Sequence, residues 1–182
     1  MLRWILSAVA FWALAHVCPA QARYAGTGPG SLVTVGGTVS GFQTDYDHRR
    51  MGGYGGYVDA NLTWRLGLEG EMRFLREYRQ MHSSTYLIGP RISFGTGRLN
   101  PYAKVLVGLG HFTYPYDLFH GSYFVESVGG GVDLRLGRRL RWRVADFEYQ
   151  RWPQFTFGAI SPYGVSTGIS YVVLRSGSRM TQ

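Results

Sequence analysis

The sequence predicts an all-β chain: an eight-stranded antiparallel up-and-down transmembrane β-barrel that follows a cleaved signal peptide. Three observations predict it. Apolar and polar residues alternate with period two in eight long runs, which is the strand pattern. The connections between the runs alternate between short and long. The two halves of the alternation also differ in chemistry, with the charges gathered on one face.

Residues 1–22 read as a secretory signal. Arg3 is the basic start, Trp4 to Cys18 is almost wholly apolar, and Ala20-Gln21-Ala22 has the small-x-small form of a cleavage site. The apolar run is short for a retained helix, which needs about 20 residues. A lipoprotein site at Cys18 would want small residues where His16 and Val17 stand. Cleavage after Ala22 removes the only cysteine, so no disulfide is expected in the mature chain. Of the 19 basic residues only Lys104 is lysine, and the net charge of +8 falls to +7 without Arg3. On an exported chain that balance points to anionic lipid or lipopolysaccharide rather than nucleic acid.

The expected strands are 31–42, 54–64, 66–76, 84–94, 101–113, 122–136, 141–151 and 161–174. Most are 9–15 residues long, against about 5–6 in ordinary sheets and about 9–11 for a strand tilted through a bilayer. Trp64-Arg65-Leu66, Gly95 to Asn100 and Gly137 to Leu140 are short connections; those near 43–53, 77–83, 114–121 and 152–160 are long and rich in aromatic and charged residues. Short turns at one end and long loops at the other are the arrangement of membrane barrels. An even strand count puts both termini on the periplasmic side, with a barrel domain over 23–174 and a short tail over 175–182. Gly52-Gly53-Tyr54-Gly55-Gly56 is followed by no helix, so it is no phosphate loop and is read as a flexible loop edge.

Split by parity, one face carries Val33, Val35, Val39, Val58, Leu68, Met72, Ile88, Val105, Leu109, Val128, Val165 and Ile169. The other carries a candidate lumen network: Asp59, Glu69, Glu71, Arg73, Arg91, Lys104, Asp133, Arg135, Arg141, Arg143, Asp146 and Glu148. Strand seven keeps this pattern only if its register slips near Ala145, as a β-bulge would allow. Glu126 breaks the pattern. Six acidic and six basic side chains are a balanced set, which a narrow enclosed lumen requires, and eight strands leave an interior that side chains just fill. A salt-bridged plug is expected, not an open pore. Trp64, Phe94, Tyr102 and Trp142 near the turns, with Tyr54, Phe74, Phe112, Phe124 and Trp152 near the loops, have the placement of two interfacial girdles.

Asn100-Pro101-Tyr102-Ala103 leads into Val107-Gly108-Leu109-Gly110, then Val128-Gly129-Gly130-Gly131-Val132-Asp133-Leu134-Arg135-Leu136 and Arg143-Val144-Ala145-Asp146-Phe147-Glu148-Tyr149. Across the mature chain these residues resemble the OmpA/opacity-protein-like (porin-like) family of outer-membrane β-barrels. Ser166, Gly168, Tyr171 and Val173 resemble the last-strand signal read by the barrel-assembly machinery, although the family usually ends on an aromatic residue and nine residues follow Val173 here. The resemblance implies a monomeric protein of the Gram-negative outer membrane, without cofactor or metal.

The function expected is non-enzymatic: a barrel that presents four long loops for structural or surface-interaction roles. Arg49, Arg50, Arg76, Arg79 and Arg151 are candidate lipopolysaccharide contacts, since arginine pairs bidentately with phosphate. They interleave with Tyr46, Tyr78, Tyr114, Tyr116 and Phe155. The alternatives are a lipid-modifying enzyme, a narrow pore, or a soluble lipocalin-type barrel with its apolar face inward. His111-Phe112-Thr113 resembles the His-x-Ser arrangement of lipid A deacylases, but threonine replaces serine and no orienting carboxylate is evident. His48, His82 and His120 fall in loops without metal-ligand spacing.

Overall fold

The computed structural model describes residues 32–43, 50–63, 65–76, 82–95, 97–113, 120–153 and 159–175. Eight strands follow one another: β1 (Leu32–Gln43), β2 (Arg50–Asn61), β3 (Leu66–Arg76), β4 (His82–Ser93), β5 (Leu99–Thr113), β6 (His120–Arg135), β7 (Leu140–Arg151) and β8 (Tyr163–Arg175). Each pairs antiparallel with its chain neighbour, and β1 pairs with β8 to close the barrel. Closure leaves no free sheet edge, so the strands pair their amides and carbonyls with neighbouring strands rather than with water. The expected signal peptide, the tail beyond Arg175, Trp64, and the loop residues Tyr46, His48, Arg49, Tyr78, Arg79, Tyr114, Tyr116 and Phe155 lie outside the described residues.

Alternation settles the inside-outside question. Val39, Ile88, Val105, Leu109, Val128, Phe147 and Ile169 are exposed on the outer wall, while Asp59, Glu69, Arg73, Arg91, Lys104 and Arg143 are buried. A lipocalin-type arrangement, apolar side inward, is thereby overturned. Glu126, the exception, is exposed on the outer wall and pairs across the ladder with Arg151 near the loop end.

The register slip of strand seven is present. Val132 pairs with Ala145 and Asp133 with Arg143, so Val144 has no partner on β6. The ladder to β8 shifts over the same stretch, between Arg143 and Asp146. The bulge lets Arg143 and Asp146, three positions apart, both face the lumen. A second irregularity lies where β1 meets β8, between Val33 and Thr34.

Two expectations about the loop end need correction. The glycine run is no loop edge: Gly52 to Gly56 lie within β2, paired with β1 and β3. A Cβ on Gly53 would run into the carbonyl of Phe74 on β3, so close approach of backbones, not flexibility, is what that glycine supplies. His82 and His120 likewise start β4 and β6 rather than sitting in loops.

Candidate functional site

The lumen is filled in two layers. Nearer the short turns lies a buried ion network of six carboxylates, Asp59, Glu69, Glu71, Asp133, Asp146 and Glu148, with four cations, Arg73, Arg91, Lys104 and Arg143. Strand parity puts each of these on the inner wall, and six successive strands, β2 to β7, supply them.

Glu69 on β3 is the hub. It accepts from Arg143 through both of its oxygens, at 2.9 and 3.0 Å, and also from Arg91 and Lys104, each at 3.1 Å. The Lys104 ammonium is held by Asp146 at 2.7 Å, Glu71 at 2.8 Å and Glu148 at 3.3 Å as well. Arg73 pairs with Glu148 through two nitrogens, at 3.1 and 2.9 Å, and with Glu71. Arg91 pairs with Asp59 and Asp133. Glu69, Glu71 and Asp146 bring oxygens close enough together to share a metal ion, but the Lys104 ammonium already stands among them.

Desolvating an ion is costly, and only near-complete pairing offsets it. Aromatic faces supply further stabilisation. The Arg143 guanidinium lies 3.5 Å from the centroid of Tyr57, Arg91 lies 3.8 Å from Tyr102, and Arg73 lies 4.3 Å from Phe42. Cation–π contacts of this kind contribute up to about 2 kcal/mol when desolvated.

Nearer the loops the filling is apolar. Leu87, Leu106, Phe112, Val125 and Trp152 form one buried cluster, and Phe42, Met51 and Leu75 another. A chain of hydrogen bonds along β7 joins the two layers. Trp152 Nε1 donates to Gln150 at 3.1 Å, and the Gln150 amide donates to Glu148 at 2.7 Å. The indole ring lies over Gly110, where a Cβ would overlap it.

Several site expectations change. Arg135 is exposed and Arg141 half-buried, opposite each other at the turn-side mouth, and neither makes an ion pair with a described residue. Both stand outside the network, so the buried set carries two more carboxylates than cations. Tyr102, Phe112 and Trp152 turn into the lumen instead of joining a girdle, whereas Tyr54, Phe74, Phe94, Phe124 and Trp142 do face outward. Tyr57, Gln150 and the apolar layer were not foreseen, although parity carried the signal: Tyr57 shares its face with Asp59, Tyr102 and Phe112 with Lys104, and Trp152 with Glu148.

Of the candidate lipopolysaccharide contacts, Arg50, Arg76 and Arg151 are exposed at the loop-side strand ends, and Arg49 and Arg79 lie outside the described residues. In the last-strand signal, Ser166 and Gly168 sit on the lumen side, with the Ser166 hydroxyl 2.8 Å from that of Ser40, while Tyr171 and Val173 face outward. His111 does find a serine, though not along its own strand. Its Nδ1 lies 2.8 Å from the Ser122 hydroxyl on β6, on the outer wall, and among the described residues no carboxylate bonds to it.

Solved structures share this eight-stranded barrel fold. The N-terminal β-barrel domain of Pseudomonas aeruginosa OprF aligns with a TM-score of 0.60 at 15% identity, over 78% of this chain and 98% of that one. The fold is that of the small outer-membrane β-barrels. Neisserial surface protein A (NspA) aligns with a TM-score of 0.60 at 13% identity, over 76% of this chain and 96% of its own. The outer membrane enzyme PagL aligns with a TM-score of 0.50 at 12% identity, over 73% and 97%. No family model and no curated protein matches the sequence. The outer-membrane barrel fold expected from the sequence is the fold found.

Proposed function

We propose that the chain is an integral outer-membrane protein that holds four surface loops on a closed, plugged barrel, without enzymatic or pore activity of its own. One observation carries this reading: among the described residues, a buried ion network and a buried apolar layer occupy the lumen, enclosed by an outer wall of exposed aliphatic side chains. Such an outer wall is costly in water and favourable in a bilayer, and a filled lumen leaves the loops as the working surface. Arg50, Arg76 and Arg151 at the loop-side rim support contact with lipopolysaccharide phosphates.

The test is fractionation combined with topology. The protein is expected in the outer-membrane fraction, with a gel mobility that shifts on heating. Cysteine placed by Arg50→Cys is expected to react with an impermeant maleimide on whole cells, and cysteine placed by Arg98→Cys only after lysis. Protein that stays soluble without detergent sinks the reading.

The Ser122–His111 pair favours a second reading, an acyl hydrolase acting on membrane lipid, because a hydroxyl beside an imidazole is the start of an activated nucleophile. Mass spectrometry of lipid A from cells carrying the wild type, Ser122→Ala or no protein separates the two. Identical lipid A in all three supports the non-enzymatic reading, and a change that depends on Ser122 replaces it.

A further inference from the structure

The two ends of the barrel differ in charge. The short connections hold Arg65, Arg98, Arg138 and Arg139, and none of the chain's 11 acidic residues. Arg135 and Arg141 stand at the lumen mouth of the same end. The long connections, by contrast, mix arginines with Asp45, Asp47, Glu77 and Asp117. The turn end is therefore rich in arginine, and its connections bring no acidic residue of their own.

This ring of arginines lies just beyond the apolar wall. Leu62, Leu66, Phe94, Leu99, Leu136 and Leu140 are exposed beside it, so its guanidinium groups sit where a bilayer's hydrocarbon gives way to headgroups. Arg139 Nη1 donates to the Tyr171 hydroxyl at 3.0 Å, and its guanidinium leans over that outward-facing ring. That contact ties one arginine to the wall at interfacial height. Arg135 and Arg141 are directly opposed across β6 and β7, a like-charge pairing that concentrates positive charge at this mouth and is eased by nearby anions.

We propose that this ring docks the barrel on the phosphodiester headgroups of anionic phospholipids in the leaflet facing the short turns. The inference rests on the membrane reading above. Arginine's planar fork matches a phosphate bidentately, and each basic residue near an anionic lipid surface adds about fivefold to the attraction. The mixed charge of the loop end offers no equivalent complementarity.

The experiment reconstitutes the full-length mature barrel in vesicles of phosphatidylcholine, alone or mixed equally with phosphatidylglycerol. After extraction in mild detergent, native mass spectrometry counts the lipids retained. Wild type is expected to keep phosphatidylglycerol over phosphatidylcholine, and to lose that preference in high salt. Arg98→Gln, Arg138→Gln and Arg139→Gln together are expected to cut phosphatidylglycerol retention by about fivefold per arginine removed. Arg50→Gln, Arg76→Gln and Arg151→Gln together are expected to leave most of it. Equal loss from both triple variants, no preference in the wild type, or a preference indifferent to salt overturns the proposal. The wild-type measurements decide it even if the turn-end variant fails to fold. Wild type that enters neither vesicle overturns the membrane reading as well, so the two failures are distinguishable.

Discussion

Arg143 on β7 reaches across the lumen to Glu69 on β3 with both terminal nitrogens, at 2.9 and 3.0 Å, from a position with no solvent exposure. The pair sits in a network with more carboxylates than cations, and that imbalance makes its two halves unequal. Removing Arg143 strands Glu69, Asp133 and Asp146 with fewer countercharges. Removing the charge of Glu69 leaves Arg143, Arg91 and Lys104 each with other carboxylates in reach.

Arg143→Gln is therefore expected to destabilise the barrel by about 3–5 kcal/mol, the range for leaving a buried charge unpaired. Glu69→Gln is expected to cost clearly less. Urea unfolding of protein folded into lipid vesicles measures both. Equal costs, or a larger one for Glu69→Gln, would show that the excess negative charge is not felt.

Trp152 and Gly110 make a second, steric pair. The indole covers the glycine, and any side chain there takes its space. Gly110→Val is expected to cost about 1–3 kcal/mol through overpacking, and Trp152→Ala in the same chain to recover part of that loss. A Gly110→Val barrel as resistant to urea as the wild type would mean the ring moves aside freely.

Much of this architecture is legible in the sequence, for a plain reason. A period of two needs no knowledge of the partner strand, so the faces of Val105 and Lys104 follow from counting alone. The slip at Val144–Ala145 is legible too, because charges at Arg143 and Asp146 cannot otherwise share a wall. The depth of each residue is what counting does not give. Arg135 and Arg143 have the same parity class, yet one lies at the rim and the other in the centre, and only the stagger of neighbouring strands decides that. The same limit sent Tyr102 and Trp152 to a girdle. Nearness to a strand end fixes height only, whereas parity fixes inside and outside, and for Tyr102 and Trp152 it is parity that the fold obeys. The Gly52–Gly56 run misled because glycine serves turns and close backbone approach alike.

Deleting Val144 tests the bulge. The residue has no partner on β6, and without it Ala145 opposite Val132 and Arg143 opposite Asp133 become consecutive steps of a regular ladder. Pairing with β8 regularises as well, since Arg143 and Asp146 would then match Gly168 and Ser166. The deletion is expected to fold and to keep a heat-modifiable gel shift. Deleting Phe147 instead puts every later lumen residue of β7 on the wrong face and is expected to abolish folding. If both deletions fold equally well, the register of β7 is not set by its lumen charges.

The two filling layers block the lumen in series. The apolar layer excludes water beside the loops, while the ion network fills the section below it with paired charge. Planar-bilayer recording of the wild type is expected to show no stable open level. Phe112→Ala with Trp152→Ala opens space in the upper layer alone, so that variant is expected to stay closed while losing about 3–5 kcal/mol of stability for each side chain truncated. A steady conductance from the wild type would contradict the plug. Conductance from the double variant alone would mean that the ion network admits water and ions, leaving the apolar layer as the sole barrier.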